Sequence, residues 1–292
     1  MNKKKSYQNK FTAALAVLMI FAMLFTGCAS KPAESTDATK QPAASADESL
    51  SKIQEKGKLV VGINAEFAPF EFHTMIDGKD TVVGFDVDLA KDIAKDMGVE
   101  LELKELAFDA LLTTLQQGQV DVIISGLSAT EERRKTVDFS EPYFNEKDVL
   151  LTTKENLNKF NSFDDLKDRK IGLQLSSLQE TLMKNLIPDG KYTTIESMNT
   201  LFISLDSNQI EGIVTSETVS RIAAASNPNF VIADKVVIDS SSLNSPGVAV
   251  AMRKESAALQ AQINETVKRL NDSGQMQQYV DAACQLAGAV QQ

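Results

Sequence analysis

The feature of this chain that most constrains its fold is an alternation of strand patterns and helix patterns that occurs twice. The first round spans residues 58–135 and contains an amphipathic helix pattern at 87–97, which ends at Gly98. The second round spans residues 149–252. Alternating strands and helices predict an α/β fold with mainly parallel sheets, and two such rounds predict two lobes. Ligands bind beyond the carboxyl ends of strands in such sheets, so the two lobes are expected to share a cleft.

The first 28 residues have the pattern of an export signal. Lysines at positions 3, 4, 5 and 10 precede an apolar run from Phe11 to Phe25, which is too short for a stable membrane-spanning helix. The run is followed by Thr26-Gly27-Cys28, and small residues before a lone cysteine resemble a bacterial lipobox. We therefore expect a signal peptide at residues 1–27 and lipidation of Cys28. An ordinary signal peptide with a chance cysteine, or an uncleaved anchor, is the alternative.

Composition restricts the surroundings and the partners of the folded part. Residues 28–49 are rich in small, polar and charged side chains and are expected to form a flexible tether. The net charge is −10, and removal of the four N-terminal lysines would make it −14. An acidic surface disfavours binding to nucleic acid or to anionic membranes. One histidine and two cysteines also disfavour a His/Cys metal site, and we expect no cofactor.

Two helix-start motifs follow buried strand patterns, one in each round. Ser128-Ala129-Thr130-Glu131 and Ser177-Leu178-Gln179-Glu180 both fit a capping box, in which the serine caps the helix. A helix start at such a place would present free N–H groups and the positive end of the helix dipole, which suit a carboxylate. Each motif taken singly predicts only a cap, because the pattern is common.

Arg133 lies one helical turn after Thr130 in the first of these predicted helices. A guanidinium can hold a carboxylate through two parallel hydrogen bonds, so Arg133 is a candidate for ligand binding. Spacing alone favours a solvated arginine within the charged run from Glu131 to Lys135.

A series of longer motifs runs in order along the chain. They are Gly62-x-Asn64-x-x-Phe67-Ala68-Pro69-Phe70-Glu71, Gly84-Phe85-Asp86-Val87-Asp88-Leu89-Ala90, Phe108-Asp109-x-Leu111, Ser125-Gly126-Leu127-Ser128-x-Thr130-x-x-Arg133, Val137-Asp138-Phe139-Ser140-x-Pro142-Tyr143, Gly172-Leu173-Gln174-x-x-Ser177-x-Gln179-Glu180 and Gly247-Val248-Ala249-Val250. Together they resemble the polar amino-acid-binding lipoproteins of ABC importers, family 3 of the bacterial extracellular solute-binding proteins. The resemblance covers essentially residue 50 to the C-terminus.

The resemblance implies a two-lobe fold of the type II periplasmic-binding-protein kind, a Venus flytrap with a central cleft and two crossing hinge strands. Lobe 1 is expected at residues 50–144 plus 242–292, and lobe 2 at residues 145–241.

The resemblance also implies roles for four residues. Arg133 would pair with the α-carboxylate of the ligand, and Ser128 would offer its N–H and hydroxyl to the same group. Ser177 would contact the carboxylate from lobe 2, and the carbonyl of Gly126 would accept from the α-ammonium.

The sequence departs from the family pattern at the ammonium contact. The family usually places an acidic residue there, just after the strand written here as Gly212-Ile213-Val214-Thr215. The matching position is Ser216, with Glu217 beside it. Glu217 takes the role only after a one-residue shift; otherwise it is a surface residue, and the ligand lacks a typical α-ammonium or binds it differently.

Selectivity for the ligand side chain is expected from Asn64, Glu66, Phe67 and Phe108. Phe67 matches an aromatic residue that packs on the ligand, although a core position beside Pro69 is the alternative. Glu66 can pair with a cationic ligand or face solvent, and Asn64 can donate or accept hydrogen bonds.

The resemblance implies a binding protein and not an enzyme: a lipid-anchored, extracytoplasmic monomer that captures a polar amino acid and delivers it to an ABC permease. Two alternatives remain open. One is an exported enzyme with the same fold, similar to prephenate or arogenate dehydratase, which would need a general acid or base in the cleft. The other is a ligand-sensing partner of a receptor.

Overall fold

The computed structural model describes residues 47–290, with side chains up to residue 288. The predicted signal peptide, Cys28 and nearly all of the predicted tether therefore lie outside the described residues. Between residues 47 and 290, none of the helices combines the length and the apolar character needed to cross a membrane.

The described part consists of strands and helices that alternate as the sequence predicts. Its strands are β1 (Lys58–Ile63), β2 (Glu66–Phe67), β3 (Glu71–Ile76), β4 (Lys79–Val83), β5 (Glu100–Glu105), β6 (Val122–Ile123), β7 (Val137–Phe139), β8 (Asp148–Thr153), β9 (Lys170–Gln174), β10 (Lys191–Ile195), β11 (Gly212–Ser216), β12 (Phe230–Ile232) and β13 (Ala251–Arg253). Its α-helices are α1 (Ser49–Lys56), α2 (Phe85–Met97), α3 (Leu111–Gln116), α4 (Glu131–Arg134), α5 (Leu178–Leu186), α6 (Met198–Asp206), α7 (Glu217–Ser226), α8 (Ala257–Asp272) and α9 (Gln275–Val290). Helix α1 was not predicted.

Two five-stranded sheets carry the fold, in the spatial orders β5-β1-β6-β13-β7 and β10-β9-β11-β8-β12. Strand β1 is parallel to β5 and β6, and β9 is parallel to β10 and β11. By contrast, β13 is antiparallel to both of its neighbours, and so is β8. Four of the five strands in each sheet therefore run in one direction, as the prediction of mainly parallel sheets requires, and β13 and β8 are the exceptions. The reason is that β8 and β13 each start at the edge where the parallel strands end, as the pairing of Asp148 with Ser216 shows.

The polypeptide passes between the two sheets twice. It leaves the first sheet after β7 and enters the second at β8, and it returns between β12 and β13. The two connecting segments meet at an antiparallel bridge between Phe144 and Val248. The predicted two-lobe α/β fold is confirmed in this architecture, and the exact lobe boundaries stay a prediction.

Separate apolar cores surround the two sheets. Helix α2 buries Phe85, Leu89 and Ile93 completely against the first sheet and the C-terminal helices. In the second sheet, Leu173 of β9 packs with the residues of α5, and Ile213 of β11 packs with those of α6. Each sheet therefore has the helix-covered faces that α/β lobes require.

Gly84 allows the start of α2 to approach the loop before β3. Its φ is +126°, and a Cβ at this position would lie 2.1 Å from the carbonyl oxygen of Phe70. Only glycine adopts this backbone conformation readily. Because of the close approach, the N–H of Asp86 donates to the carbonyl of Phe70 at 3.0 Å, which places Asp86 next to Glu71.

The first predicted capping box was wrong. Helix α4 begins after Thr130, whose side-chain oxygen accepts a hydrogen bond from the N–H of Arg133 at 3.3 Å. Ser128 instead forms an antiparallel β-bridge with Val248, which lies in the segment that returns from the second sheet to the first.

The second predicted cap is present. The Ser177 hydroxyl accepts from the N–H of Glu180 at 3.0 Å at the start of α5. The Glu180 carboxylate accepts from the N–H of Ser176 at 2.6 Å rather than from that of the capping residue, so the box is closed one residue earlier.

Candidate functional site

A cavity of about 100 Å³ lies between the two sheets, where the carboxyl ends of their parallel strands face each other. Seven of the nine predicted ligand-binding residues line it: Asn64, Phe67, Phe108, Gly126, Ser128, Arg133 and Ser177. They come from segments distant in sequence, and four of them (Asn64, Phe108, Gly126 and Ser177) lie one to three residues after the end of a strand of the two sheets. This position agrees with the general location of ligand sites in α/β sheets.

Arg133 supplies the positive charge of the cavity. Its Nη1 donates to the Ser128 carbonyl and its Nη2 to the Ser176 carbonyl, both at 2.9 Å. Burial lowers the pKa of Arg133 to about 10, and among residues 47–290 no carboxylate is one of its hydrogen-bond or ion-pair partners. The guanidinium is still charged at neutral pH, so the cavity contains a partly buried cation without a counter-ion from the described chain. Such a group favours an anion that enters from solvent.

Two aromatic side chains form the apolar walls. The Phe108 ring lies 5.9 Å from Cζ of Arg133, which is within the range of a cation–π contact. The Phe67 ring lies against the backbone of Gly126, where an added Cβ would be only 3.1 Å from it. Gly126 therefore leaves room for the aromatic ring at this side of the cavity. Phe67 also stacks on Phe70, with 5.2 Å between ring centroids.

The two lobes touch through polar groups beside the cavity. The Gln174 side-chain amide lies 3.4 Å from Oδ1 of Asn64, and the bond from Arg133 to the Ser176 carbonyl also joins the two lobes. These contacts keep the cavity narrow. Gln174 stands within one of the quoted motifs, but its role was not predicted from the sequence.

A buried carboxylate pair supports the loop that carries Gly126. Glu71 accepts from the Ser125 hydroxyl at 2.6 Å, and Asp86 accepts from the N–H of Gly126 at 2.7 Å. The Ser125 hydroxyl oxygen also accepts from the N–H of Asn64 at 2.9 Å. Glu71 and Asp86 therefore position two segments that line the cavity. Both residues are in the quoted motifs, yet no local pattern indicates that they lie side by side.

Burial changes the protonation of this pair. Glu71 and Asp86 are 0 % exposed, and each has one carboxylate oxygen without a hydrogen-bond partner in the described chain. Burial raises the pKa of Glu71 well above its ordinary value, and the neighbouring Asp86 charge raises it further. Burial also raises the pKa of Asp86, to about 6. The side-chain hydrogen bond between the two groups raises the pKa of Glu71 and lowers that of Asp86, so a proton shared by the pair sits on Glu71.

Two of the predicted residues do not line this cavity. Glu217 begins α7, and its carboxylate accepts from Nε of Arg221, one turn later, at 3.0 Å. This local ion pair draws the side chain away from the cavity. Glu66 lies instead on a neighbouring, larger cavity of about 930 Å³.

The larger cavity differs from the smaller one in its charge. Glu66, Glu105, Glu196 and Asp206 line it, and no lysine or arginine of the described chain does. His73 also lines it and lies 2.8 Å from the Glu105 carboxylate. Asn64 lines both cavities, so they adjoin there. The smaller cavity is the better candidate for recognition, because it contains polar groups of both signs from both lobes.

The segment that leads into β8 adds residues to the site that were not predicted from the sequence. Glu146 and Asp148 line the smaller cavity, together with Asn145, Gln179, Ser240 and Ser245. Ser216, which matches the position of the family's ammonium contact, lines it as well. The only sequence signal was the two-residue spacing of the acids, which puts both on one face of an extended segment. That signal cannot show which other strand lies opposite.

The site has the groups needed for binding a charged polar molecule. The described lining of the smaller cavity contains no histidine, cysteine or lysine. Over residues 47–290, there is also no cluster of three or more histidine, cysteine or acidic residues that suits a metal ion.

The sequence matches the family model of the bacterial extracellular solute-binding proteins, family 3, over residues 59–282. The arginine-binding extracellular protein ArtP of Bacillus subtilis (strain 168) is 33% identical over 224 residues, which cover 76% of this chain and 84% of ArtP.

Two solved structures show the same fold. The first is the amino acid ABC transporter substrate-binding protein AbpA from Streptococcus pneumoniae Canada MDR_19A bound to L-arginine. It matches with a TM-score of 0.78 and 36% identity and covers 83% of this chain and 100% of that chain. The second is the ancestral amino acid-binding protein AncCDT-1, a precursor of cyclohexadienyl dehydratase. It matches with a TM-score of 0.71 and 31% identity and covers 80% of this chain and 98% of that chain.

Proposed function

The chain belongs to the bacterial extracellular solute-binding proteins, family 3, and we propose that it is the extracytoplasmic binding component of an ABC importer. It captures a polar amino acid between its two lobes and delivers it to the permease. The observation that carries the proposal is the partly buried, charged Arg133 in the cavity between the lobes, which has no carboxylate partner in residues 47–290.

The α-carboxylate of an amino acid is the anion that this arrangement suits best. A guanidinium binds a carboxylate through two parallel hydrogen bonds, and Arg133 already directs two N–H donors at backbone carbonyl oxygens. A bound carboxylate would take the place of the Ser176 carbonyl as an acceptor. The hydroxyl of Ser177, which also lines the cavity, supports this orientation from lobe 2.

Binding from both lobes explains how the ligand would favour a closed protein. The ligand contacts groups of both lobes only when the cleft is closed, so it binds that state more tightly and shifts the population toward it. The closed pair of lobes then presents one composite surface to the permease. We expect a monomer to perform this cycle.

L-Arginine is the first ligand to test. ArtP and AbpA are described as arginine-binding and arginine-bound proteins, respectively. In this chain, the acidic lining of the larger cavity adjoins the smaller one at Asn64, where a long cationic side chain could extend. Glu66 would then contribute to selectivity from the larger cavity.

A thermal-shift screen of the mature domain tests the proposed function. We expect one or a few of the twenty amino acids, cystine or ornithine to raise the melting temperature, because a ligand that binds only the folded state stabilises it by mass action. At a concentration of 100 times Kd the gain is about 2.7 kcal/mol. The proposal fails if none of these ligands shifts the transition.

The dehydratase alternative has a separate readout. AncCDT-1 is a precursor of cyclohexadienyl dehydratase, so prephenate and arogenate belong in the same assay. We expect no turnover of either compound; measurable product formation would support the enzyme.

Lipid attachment at Cys28 completes the proposal. The lipobox-like sequence before Cys28 supports it, and the extracellular family supports an extracytoplasmic location. Cys28→Ala is expected to move the protein from the membrane fraction to the soluble fraction of a bacterial host, because the acceptor thiol is lost. Cys284→Ala is the matched control and should leave it in the membrane fraction. Retention of the Cys28→Ala variant in the membrane would contradict lipidation as the anchor.

A further inference from the structure

The cavity contains a second charged element, which lies beside the predicted ammonium position. Ser216, which stands where the family usually has an acid, is 2 % exposed, and its hydroxyl accepts from the N–H of Val219 at 3.3 Å. Its side chain is therefore engaged in capping α7. Since Glu217 pairs with Arg221, the end of β11 supplies no carboxylate to the cavity.

The start of β8 and the segment just before it supply two carboxylates. Asp148 is paired directly with Ser216 in the antiparallel register of β8 and β11, and its side chain lines the cavity. Glu146, two residues earlier, lines the same cavity. A ligand group near Ser216 is therefore also near the first residue of β8.

The hydrogen bonds of Glu146 are incomplete, and those of Asp148 come from neutral groups. Asp148 accepts from the side-chain amide of Gln179 at 2.7 Å. One oxygen of Glu146 accepts from the N–H of Thr218 at 3.3 Å, while its Oε2 is buried and has no partner in the described chain. No lysine or arginine within residues 47–290 forms an ion pair with either acid. A buried carboxylate oxygen without a partner is costly, so the pair favours a cation from outside.

We propose that Glu146 and Asp148, and not a residue after β11, hold the cationic α-ammonium group of the ligand. The inference rests on the proposed function, because it assigns the ammonium end of the ligand whose carboxylate binds Arg133. The cavity then has a cationic pole at Arg133 and an anionic pole at the start of β8, which matches the two charges of an amino acid.

The electrostatics agree with this assignment. Burial raises the pKa of Asp148, and the nearby charge of Glu146 acts in the same direction, against the hydrogen bonds from Gln179 and Ser240. An ammonium group beside Asp148 would stabilise the ionised form of this acid.

The test compares two ligands by calorimetry. One is the amino acid that stabilises the wild type most in the thermal screen, which we expect to be L-arginine. The other is its des-amino analogue, 5-guanidinopentanoate for arginine, which keeps the carboxylate and the side chain. Asp148→Asn is expected to weaken binding of the amino acid at least about tenfold and binding of the analogue less than about threefold, because only the amino acid carries the ammonium. Glu146→Gln is expected to show the same selective loss.

Three further variants make the result specific. Asp189→Asn removes an exposed carboxylate of the same lobe and should leave both affinities unchanged. Glu217→Gln tests the rival position and should leave the affinity for the amino acid within about threefold. Ser216→Asp, added to Asp148→Asn, should restore part of the lost affinity, because it returns a carboxylate to the paired strand and aspartate also caps helices.

The outcomes separate the two proposals. If no amino acid stabilises the wild type, the proposed function fails before any variant is made. If the wild type binds, the inference is overturned when Asp148→Asn and Glu146→Gln both bind the amino acid as tightly as the wild type. It is also overturned when they weaken both ligands equally. If Asp148→Asn does not fold, the two-ligand comparison with Glu146→Gln decides.

Discussion

Arg133→Ala is expected to weaken binding of the amino acid by at least about 100-fold. Removal of one partner from a buried, hydrogen-bonded ion pair typically costs about 3–5 kcal/mol, and each 1.4 kcal/mol is a factor of ten in Kd. Isothermal titration of the purified variant with the ligand from the thermal screen measures the loss. Arg133→Lys should lie in between, because lysine keeps the charge but cannot form two parallel hydrogen bonds.

The stability of the ligand-free variant should respond differently from its affinity. Burial of the guanidinium opposes its charged state and lowers its pKa, so the wild type carries a cost that alanine removes. We therefore expect the ligand-free Arg133→Ala protein to melt no lower than the wild type. A loss of affinity without a loss of stability would identify a binding residue, not a structural one.

Arg134→Ala is the matched control for this experiment. Arg134 is adjacent on α4 and carries the same charge, but it packs over the Phe139 ring at 5.3 Å and does not line the cavity. Its removal should change the affinity by less than about threefold, since it is outside the site. The assignment of Arg133 is wrong if Arg133→Ala binds the ligand as tightly as Arg134→Ala.

The second large effect expected is a decrease in the free energy of unfolding as the pH rises from 4 to 6, and this decrease depends on Asp86. Burial raises the pKa of Asp86 from 3.8 to about 6, so the folded protein binds a proton in this range that the unfolded chain has released. The stabilising contribution of this bound proton to the folded state is complete below pH 4 and is lost as the pH rises through 6. A shift of this size corresponds to about 3 kcal/mol in the free energy of unfolding.

The pH dependence of chemical unfolding measures this effect. Asp86→Asn has no proton to release, so its free energy of unfolding should rise relative to that of the wild type as the pH increases from 4 to 6. Asparagine can still accept from the N–H of Gly126, so the slope with pH is the readout, not the stability at one pH. Asp77→Asn, in an exposed turn, is the control and should keep the slope of the wild type. An unchanged slope in Asp86→Asn would contradict the buried pair.

Glu71→Gln extends the test to higher pH. Glutamine resembles the protonated glutamic acid, which can accept from Ser125 and donate to Asp86. Because burial raises the pKa of Glu71 well above its ordinary value, the wild type should lose stability relative to this variant as the pH rises toward that pKa. Equal curves for the two proteins at alkaline pH would show that Glu71 is already ionised at neutral pH.

Local patterns predicted most of the helices and strands. The apolar spacing at 87–97 and the glycine after it predicted α2, which ends at Gly98 in a left-handed conformation. The Ser177 cap was also predicted, because its hydrogen bond joins two residues that are only three positions apart in the sequence. The first cap was misplaced from Thr130 to Ser128, because the pairing of Ser128 with Val248 involves a segment about 120 residues away.

The site was predicted in the parts that ordered motifs describe. Arg133, Ser128 and Gly126 stand in one motif, and the structure brings them to one cavity with Ser177 of the other lobe. The motifs did not show that Glu217 pairs with Arg221. A glutamate at this position can point into the cavity or pair with the arginine one helical turn later, and both arrangements fit the same sequence.

The sequence by itself determined the alternating elements, the caps that depend on a few neighbouring residues, and the chemical types available for binding. These depend on periodicity and on contacts within one or two turns. Only the tertiary structure decided that β8 runs antiparallel to β11, that Asp148 faces Ser216, and that Glu71 lies beside Asp86. Those features arise where the chain crosses between the sheets and where distant segments meet. No local pattern specifies the direction of β8 or the neighbours of a buried carboxyl group, so the position of Asp148 and the protonation of Glu71 and Asp86 depend on the tertiary structure.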